Sequence, residues 1–270
     1  MFLTTKPMKL LLIPCAILIT FSSCANPGSE TAPQSSNENK PSVVVASNAA
    51  DTVPPSVVSD SLVTNDFLMG KFNYRTHPFF IKVPATMSTK ELYVQKETLA
   101  AFQRMHEAAL KDSVSLKIVS GTRSFNEQKN IWETKWKKEI VAQKTPKAAA
   151  LKILEYSSMP STSRHHWGTD IDINSVEGAY FRKGKGLKEY TWLVANGNKF
   201  GFYQTYTPKD KGRTGYSVEE WHWSYLPLSK KYLEYYNARI TNNDIKGFTG
   251  CETAAEIDII QNFVNGIEKY

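Results

Sequence analysis

Cysteine is scarce in this chain, with three among 270 residues. That number is too small for a scaffold held together by disulfides. Long hydrophobic runs are also missing, because the longest apolar stretch, Leu10 to Phe21, has only twelve residues. A membrane-spanning helix needs about 20 residues, so a multi-span membrane protein is excluded. A content of 41% hydrophobic and 22% charged residues also excludes a wholly disordered chain.

The N-terminus has the order of features found in bacterial export signals. Lys6 and Lys9 precede the apolar stretch, and two serines lead directly into Cys24. The segment F-S-S-C resembles a bacterial lipobox, whose cysteine becomes the lipid-modified N-terminus after cleavage. An ordinary signal peptide with an incidental cysteine is the alternative. We expect residues 1–23 to be a lipoprotein signal peptide and Cys24 to anchor an exported protein to a bacterial membrane, facing the periplasm or the cell wall.

The segment that follows lacks aromatic side chains. From Ala25 to Asn65 there is no Phe, Trp or Tyr, and five of the thirteen prolines fall in this range. Such a segment buries too little apolar surface to offset the entropy lost on ordering. We therefore predict a disordered tether over residues 24–64 and a single folded domain over residues 65–270.

Basic residues outnumber acidic ones, by 33 to 26, which gives a formal charge of +7. Removal of Lys6 and Lys9 with the signal peptide leaves +5. A basic protein attracts anionic partners, such as nucleic acids, membrane surfaces or carboxylate-rich polymers. We find no element that stacks on bases or reads a groove, and export argues against that class of ligand. We expect no nucleic-acid partner and a monomeric protein.

In the folded part, helical signals precede strand signals. The helical signals are capping boxes at Ser88 with Glu91 and Ser124 with Glu127, a Thr145-Pro146 start, and the segment Lys188 to Asn196. The β-like runs are Ser115 to Ser120, Thr169 to Ile173, Gly201 to Tyr206 and Tyr216 to Tyr225. This order predicts an α+β domain in which helices pack on one face of a small antiparallel sheet.

The segment S-R-H-H-W-G-T-D-I-D, residues 163–172, combines residue types that bind metals. A catalytic zinc site typically takes three His or carboxylate ligands and leaves one position for water. His165 and Asp172 lie seven residues apart, and Gly168 between them lets the chain fold back. In the run T-D-I-D-I the isoleucines face the core and the aspartates the other side. A polar strand edge with a satisfied histidine is the alternative interpretation.

A second segment, E-E-W-H-W-S-Y over residues 219–225, supplies another candidate ligand. Trp221 and Trp223 flank His222 and should pack on the opposite face of the strand, which would hold the imidazole rigidly. Two histidines and one carboxylate would complete a three-ligand site, and an acid nearby could act as general base. On a regular strand Glu220, rather than Glu219, shares a face with His222.

The pattern S-x-H-x(6)-D, followed by E-x-W-H, resembles the VanY-type D-alanyl-D-alanine carboxypeptidases, zinc peptidases that trim bacterial peptidoglycan. The segment S-G-T-R-S, with Gln128 shortly after it, resembles a third motif of that family. The resemblance covers roughly residues 67–236. It implies the fold of the hedgehog and D-Ala-D-Ala peptidase group, with one Zn²⁺ per chain.

The resemblance also implies roles for single residues. Its zinc ligands correspond to His165, Asp172 and His222, and its general base to Glu219, which requires a bend before the strand. Arg123 corresponds to the residue that stabilises an oxyanion or holds a substrate carboxylate. Positions that bind substrate correspond to Ser163, Gln128 and Ser120. One departure is Asp170, because many family members have a small residue there.

These roles imply an enzyme that removes the terminal D-alanine from peptidoglycan stem peptides, its expected partners. An L,D-carboxypeptidase or a peptidoglycan endopeptidase could use the same residues. A non-catalytic, wall-binding lipoprotein is the alternative outside the enzymes, although Glu219 and Arg123 argue against it.

The other histidines and the last cysteine give weaker signals. His166 adjoins a candidate ligand and should point away from the metal or to the surface. His77 is expected in a turn, and His106 at the edge of a buried helical stripe. Cys251 is expected to be a small buried or helix-start residue rather than a reactive thiol.

Overall fold

The computed structural model describes residues 60–270, so the predicted signal peptide, Cys24 and most of the predicted tether lie outside the described residues. Within this range the helices are α1 (Asn65–Leu68), α2 (Lys96–Lys111), α3 (Phe125–Gln143), α4 (Pro146–Ile153), α5 (Gly184–Asn196), α6 (Leu226–Arg239) and α7 (Thr253–Ile257). The strands are β1 (Phe80–Lys82), β2 (Tyr93–Gln95), β3 (Ile118–Ser120), β4 (Asp170–Ile173), β5 (Phe202–Gln204) and β6 (His222–Tyr225). In the described part of the chain, no helix has both the length and the apolar character needed to cross a membrane.

The folded part begins slightly before the predicted boundary at residue 65. Val63 is 1% exposed and belongs to the core, and Asp60 pairs with Lys231 on α6 at 2.6 Å. Within the segment expected to belong to the tether, Val63 thus packs in the core and Asp60 contacts α6.

Capping patterns in the sequence correctly predicted where two helices begin, but the third predicted helix begins later in the chain. Ser124 accepts a hydrogen bond from the Glu127 backbone N–H at 3.2 Å and returns one to the Glu127 carboxylate, which confirms the capping box of α3. Thr145 caps α4, as predicted. The helix predicted from Ser88 instead begins at Lys96, because the intervening residues pair as strand β2 with β1.

The central sheet has four antiparallel strands in the order β3-β4-β6-β5, so β4 and β6 are inner neighbours. In their register Asp172 lies opposite His222, and Asp170 lies opposite Ser224. Because residues directly opposite share a face, these polar side chains gather on one side of the sheet.

The other face of the sheet is apolar, as the alternation in T-D-I-D-I predicted. Ile171, Ile173 and Trp223 lie there in one core cluster with residues of α2 and α5. A second cluster contains residues of α1, α3, α4, α6 and α7. The domain is therefore of the α+β class, and its helix-covered sheet leaves the polar face of β4 and β6 for a site.

The strand predicted over Tyr216 to Tyr225 forms only in its last four residues. Residues before His222 turn instead, with the His222 N–H donating to the Glu219 carbonyl at 3.4 Å. The strand alternation consequently does not extend to Trp221, which lies beside Tyr156 rather than on the apolar face with Trp223. The prediction that both tryptophans pack on that face was wrong for Trp221.

Candidate active site

Two imidazoles and one carboxylate meet on the polar face of the sheet. His165 Nε2 lies 3.5 Å from Asp172 Oδ1, and His222 Nδ1 lies 3.3 Å from the same oxygen. One ligand atom from each of the three residues lies within 4.8 Å of the other two. All three side chains are buried, so the described structure brings the three candidate ligands to one point.

Each of the three residues is fixed by its own element. Asp172 lies on β4, and His222 begins β6 directly opposite it. His165 lies on a single 3-10 turn, Arg164–Trp167, which ends at Gly168 with φ of +68°. A Cβ at Gly168 would lie 2.4 Å from the Phe80 ring, so both the backbone conformation and the packing there require glycine. The turn folds His165 back towards β4.

Hydrogen bonds orient the two imidazoles so that a different ring nitrogen faces Asp172 in each of them. His165 Nδ1 lies 2.9 Å from the carbonyl oxygen of Gly121, which leaves Nε2 facing Asp172. His222 Nε2 lies 2.9 Å from the Asp170 carboxylate, which leaves Nδ1 facing Asp172. An oxygen acceptor at one ring nitrogen favours the neutral tautomer with its proton there, and in that tautomer the other nitrogen offers a lone pair.

The charges of the site favour a bound cation. Burial works against a charge on His222, but the nearby carboxylates of Asp170, Asp172 and Glu219 raise its pKa well above the usual value. For Asp172 burial also opposes ionisation, yet the two histidines hold the pKa of this carboxyl well below its usual range. Burial lowers the pKa of His165, and the charge of Arg123 lowers it further. Asp172 therefore favours its ionised form, and a buried carboxylate of this kind attracts positive charge.

These residues fit a divalent metal ion. Asp172 Oδ1 is buried without a hydrogen-bond partner, although it lies close to both histidines. Two imidazole nitrogens and one carboxylate oxygen form a donor set that suits zinc and related transition metals. A metal ligand needs a lone pair that is not already engaged in a hydrogen bond, and Asp172 Oδ1 offers one.

Glu219 lies beside this cluster because the chain turns just before β6. Its carboxylate is 3.4 Å from His222 Nδ1 and 5% exposed, and burial raises its pKa. The Glu219 N–H donates to the Tyr206 carbonyl at 3.0 Å, which fixes the turn. Glu220 also lines the cleft described below, but its carboxylate lies next to Gly178. The bend that the Glu219 assignment required is therefore present.

A cleft of about 1170 Å³ opens in front of these residues. Arg123, Gln128 and Ser163, three residues predicted to stabilise charge or bind substrate, line it. Each has a buried polar atom without a partner, namely Arg123 Nε, Gln128 Oε1 and Ser163 Oγ. Ser120 lies on β3 opposite Asp172, but it is not among the described residues that line the cleft.

Several cleft residues carried no signal in the sequence. Lys135 on α3 donates to Ser157 at 2.5 Å, and burial together with the charge of Arg123 lowers its pKa. Tyr206 lies with its ring 4.7 Å from that of His222. Tyr216 has a buried hydroxyl without a partner. For Lys135 alone the sequence offered an indirect indication, because Gln128 and Lys135 lie seven residues apart and so share a face of α3.

The remaining histidines lie outside the cluster. His166 is completely buried, points away from the metal site and binds the Arg123 carbonyl at 2.6 Å through Nδ1. His106 is 9% exposed on α2, and its Nδ1 lies 2.8 Å from the Leu116 carbonyl. His77 lies in a turn against the rings of Phe67 and Phe72. Cys251 is half-buried beside the second core cluster.

Comparison with known families gives one match over the centre of the chain. The model of the family VanY, D-alanyl-D-alanine carboxypeptidase, matches residues 91–228. This segment is half of the chain and contains the metal cluster, Glu219 and Arg123.

Individual relatives are similar to about half of this chain. The D-alanyl-D-alanine carboxypeptidase of Enterococcus faecalis is 32% identical over 126 residues, which cover 47% of this chain and 46% of that protein. The bifunctional D-Ala-D-Ala dipeptidase and D-Ala-D-Ala carboxypeptidase VanXYC of Enterococcus gallinarum is 26% identical over 154 residues, 54% of this chain and 74% of that protein. The match thus spans less than half the length of the first relative. The solved structure of VanYB in complex with D-alanine-D-alanine superposes with a TM-score of 0.45 and 26% identity, covering 59% of this chain and 94% of that one.

Proposed function

The chain belongs to the VanY family of D-alanyl-D-alanine carboxypeptidases, and from that premise we propose that it is a zinc-dependent peptidase that removes the terminal D-alanine from peptidoglycan stem peptides. The observation that carries this proposal is the convergence of His165, Asp172 and His222 beside Glu219, in a cleft that Arg123 also lines. The three ligands hold one Zn²⁺, and zinc bound there supplies Lewis-acid activation of the scissile carbonyl and of a water molecule.

Glu219 moves the proton in this reaction. Its buried carboxylate has a raised pKa, which makes it a stronger base than an ordinary glutamate. It accepts a proton from the attacking water and delivers that proton to the nitrogen of the departing D-alanine. Its place in the turn before β6 keeps it next to His222 throughout.

Arg123 binds negative charge in front of the metal ligands. Its backbone N–H donates to the His165 carbonyl at 3.2 Å, which ties the arginine to the segment that carries a ligand. Its guanidinium faces the cleft with Nε unpartnered. A guanidinium forms charge-assisted and often bidentate hydrogen bonds with carboxylates and oxyanions.

The bond that is cut can be identified with defined substrates. We expect release of free D-alanine from a stem pentapeptide that ends in D-Ala-D-Ala, measured by liquid chromatography with mass spectrometry. Release of D-alanine only from a tetrapeptide would instead identify an L,D-carboxypeptidase. Cleavage only of a cross-linked dimer would identify an endopeptidase. A protein that binds zinc and cuts none of the three substrates would be a wall-binding protein.

We expect Arg123→Gln to lower kcat/KM for the pentapeptide by about 10²–10³, the usual effect of removing a charge-stabilising donor. A loss in kcat assigns the guanidinium to the oxyanion, and a rise in KM assigns it to the substrate carboxylate. Lys129→Gln is the matched control, because it removes one positive charge from α3 at a residue that pairs with Glu133 outside the cleft. Equal kinetics for the two variants would contradict the role of Arg123.

We further propose that the protein is exported and anchored to a membrane through lipid on Cys24. The basic start, the short apolar run and the F-S-S-C segment support this proposal. We expect Cys24→Ala to abolish incorporation of a palmitate analogue and to move the protein out of the membrane fraction. Unchanged labelling of the Cys24→Ala protein would contradict it.

A further inference from the structure

Asp170, two residues before Asp172 on β4, is the most fully hydrogen-bonded carboxylate at the site. Its Oδ2 lies 2.8 Å from Arg164 Nε and 2.9 Å from His222 Nε2. Its Oδ1 accepts hydrogen bonds from Ser224 Oγ at 2.7 Å and Thr169 Oγ1 at 3.0 Å. The side chain has no exposed surface, so these four protein groups replace water around it.

Arg164 compensates the charge of this carboxylate. A buried carboxylate without a partner is costly, whereas one paired with a hydrogen-bonded cation is tolerated. The Arg164 guanidinium is 1% exposed, lies 4.8 Å from the Trp167 ring centroid, and donates from Nη2 to Ser224 Oγ at 2.9 Å. Arg164 and Asp170 therefore form an enclosed pair within the segment that carries both His165 and Asp172.

The Arg164–Asp170 pair lies next to the metal cluster, so it can act on a metal ligand as well as stabilise the packing. Of the two ring nitrogens that face away from Asp172, only that of His222 bonds to a carboxylate, Asp170, whereas that of His165 bonds to the Gly121 carbonyl. A carboxylate that accepts from the distal nitrogen of a ligand histidine fixes the tautomer and makes the proximal nitrogen more basic. For His222 the proximal nitrogen is Nδ1, which faces Asp172.

We propose that Asp170, balanced by Arg164, is a positioning residue that fixes His222 with its proton on Nε2 and thereby strengthens metal binding through Nδ1. This inference rests on the proposed function, because it assumes that the three-residue cluster holds Zn²⁺. A purely structural ion pair would stabilise the fold and leave zinc affinity unchanged, and this difference can be measured.

The test is the zinc dissociation constant, measured by competition with a chromophoric chelator. The double variant Arg164→Gln/Asp170→Asn removes both charges and retains hydrogen-bonding groups of similar size. We expect its dissociation constant to rise by about 10–100-fold, the usual cost of losing such a partner. Ser229→Ala is the matched control, since Ser229 bonds Ser224 Oγ at 2.8 Å and touches neither His222 nor Asp170 through a hydrogen bond. Its zinc affinity should equal that of the wild type.

Two outcomes would overturn the proposal: wild-type zinc affinity in the double variant, or an equal loss in Ser229→Ala. If the double variant does not fold, the zinc-loaded wild-type protein still provides a test. A long-range ¹H–¹⁵N spectrum should show His222 protonated at Nε2, and a metal-bound Nε2 would refute the proposed geometry. These readouts do not involve hydrolysis, so tight zinc binding without activity would contradict the proposed function alone.

Discussion

Glu219→Gln should lower the rate of D-alanine release by about 10²–10⁴, the contribution of a positioned general base. Glutamine has nearly the same size and can keep the contact with His222, so the turn before β6 should persist. What it cannot do is accept the proton of the attacking water. We therefore expect one zinc per chain in the variant, measured by atomic emission, together with the loss of turnover.

Glu220→Gln is the control for that experiment, because the two glutamates are neighbours and only one lies against the metal cluster. The Glu220 carboxylate lies next to Gly178 in the same cleft, whereas the Glu219 carboxylate lies 3.4 Å from His222 Nδ1. We expect Glu220→Gln to lose much less activity than Glu219→Gln. The reverse order would assign the base to Glu220, as an uninterrupted strand would have required.

Residues close in sequence were predictable where a local pattern determines the structure. The alternation T-D-I-D-I correctly separated the core-facing Ile171 and Ile173 from the aspartates, because a central strand has a strict period of two. Ser124 and Glu127 correctly marked a helix start, because a capping box involves only four consecutive residues.

The same kind of local pattern failed where pairing with a distant segment decided the structure. Ser88 and Glu91 have the spacing of a capping box, yet residues 93–95 pair with β1 and the helix begins afterwards. Glu91 forms ion pairs with Arg75 and Lys82 instead, each at 2.7 Å. A strand partner cannot be read from the spacing of two polar residues.

In the candidate site, too, local patterns identified some features, whereas others depend on segments distant in sequence. The ligand residues and Glu219 could be named from motifs, but the orientation of their rings could not. The Gly121 carbonyl that orients His165 is a backbone group, which every residue has, so no side-chain pattern identifies it. The Arg164–Asp170 pair likewise emerges only when the 3-10 turn and β4 are folded together.

The largest effect on metal content should follow from loss of a ligand. Replacement of His165, Asp172 or His222 by alanine leaves two of the three donors, and we expect these proteins to lose zinc on dialysis and to release no detectable D-alanine. His106→Gln is the matched control, because this buried histidine bonds to Leu116 on the apolar side of the sheet and should leave zinc content unchanged. A ligand variant that retains one zinc per chain and turns over would contradict the assignment.

Thermal unfolding gives the same prediction a second, independent readout. A ligand that binds only the folded state stabilises it, by about 2.7 kcal/mol when its free concentration is 100 times the dissociation constant. A chelator should therefore lower the unfolding temperature of the wild type and of His106→Gln, and added zinc should restore it. For the alanine variants of His165, Asp172 and His222 the chelator should have no effect, because there is no bound ion left to remove. A chelator-sensitive unfolding temperature in these variants would show that the metal is held elsewhere in the chain.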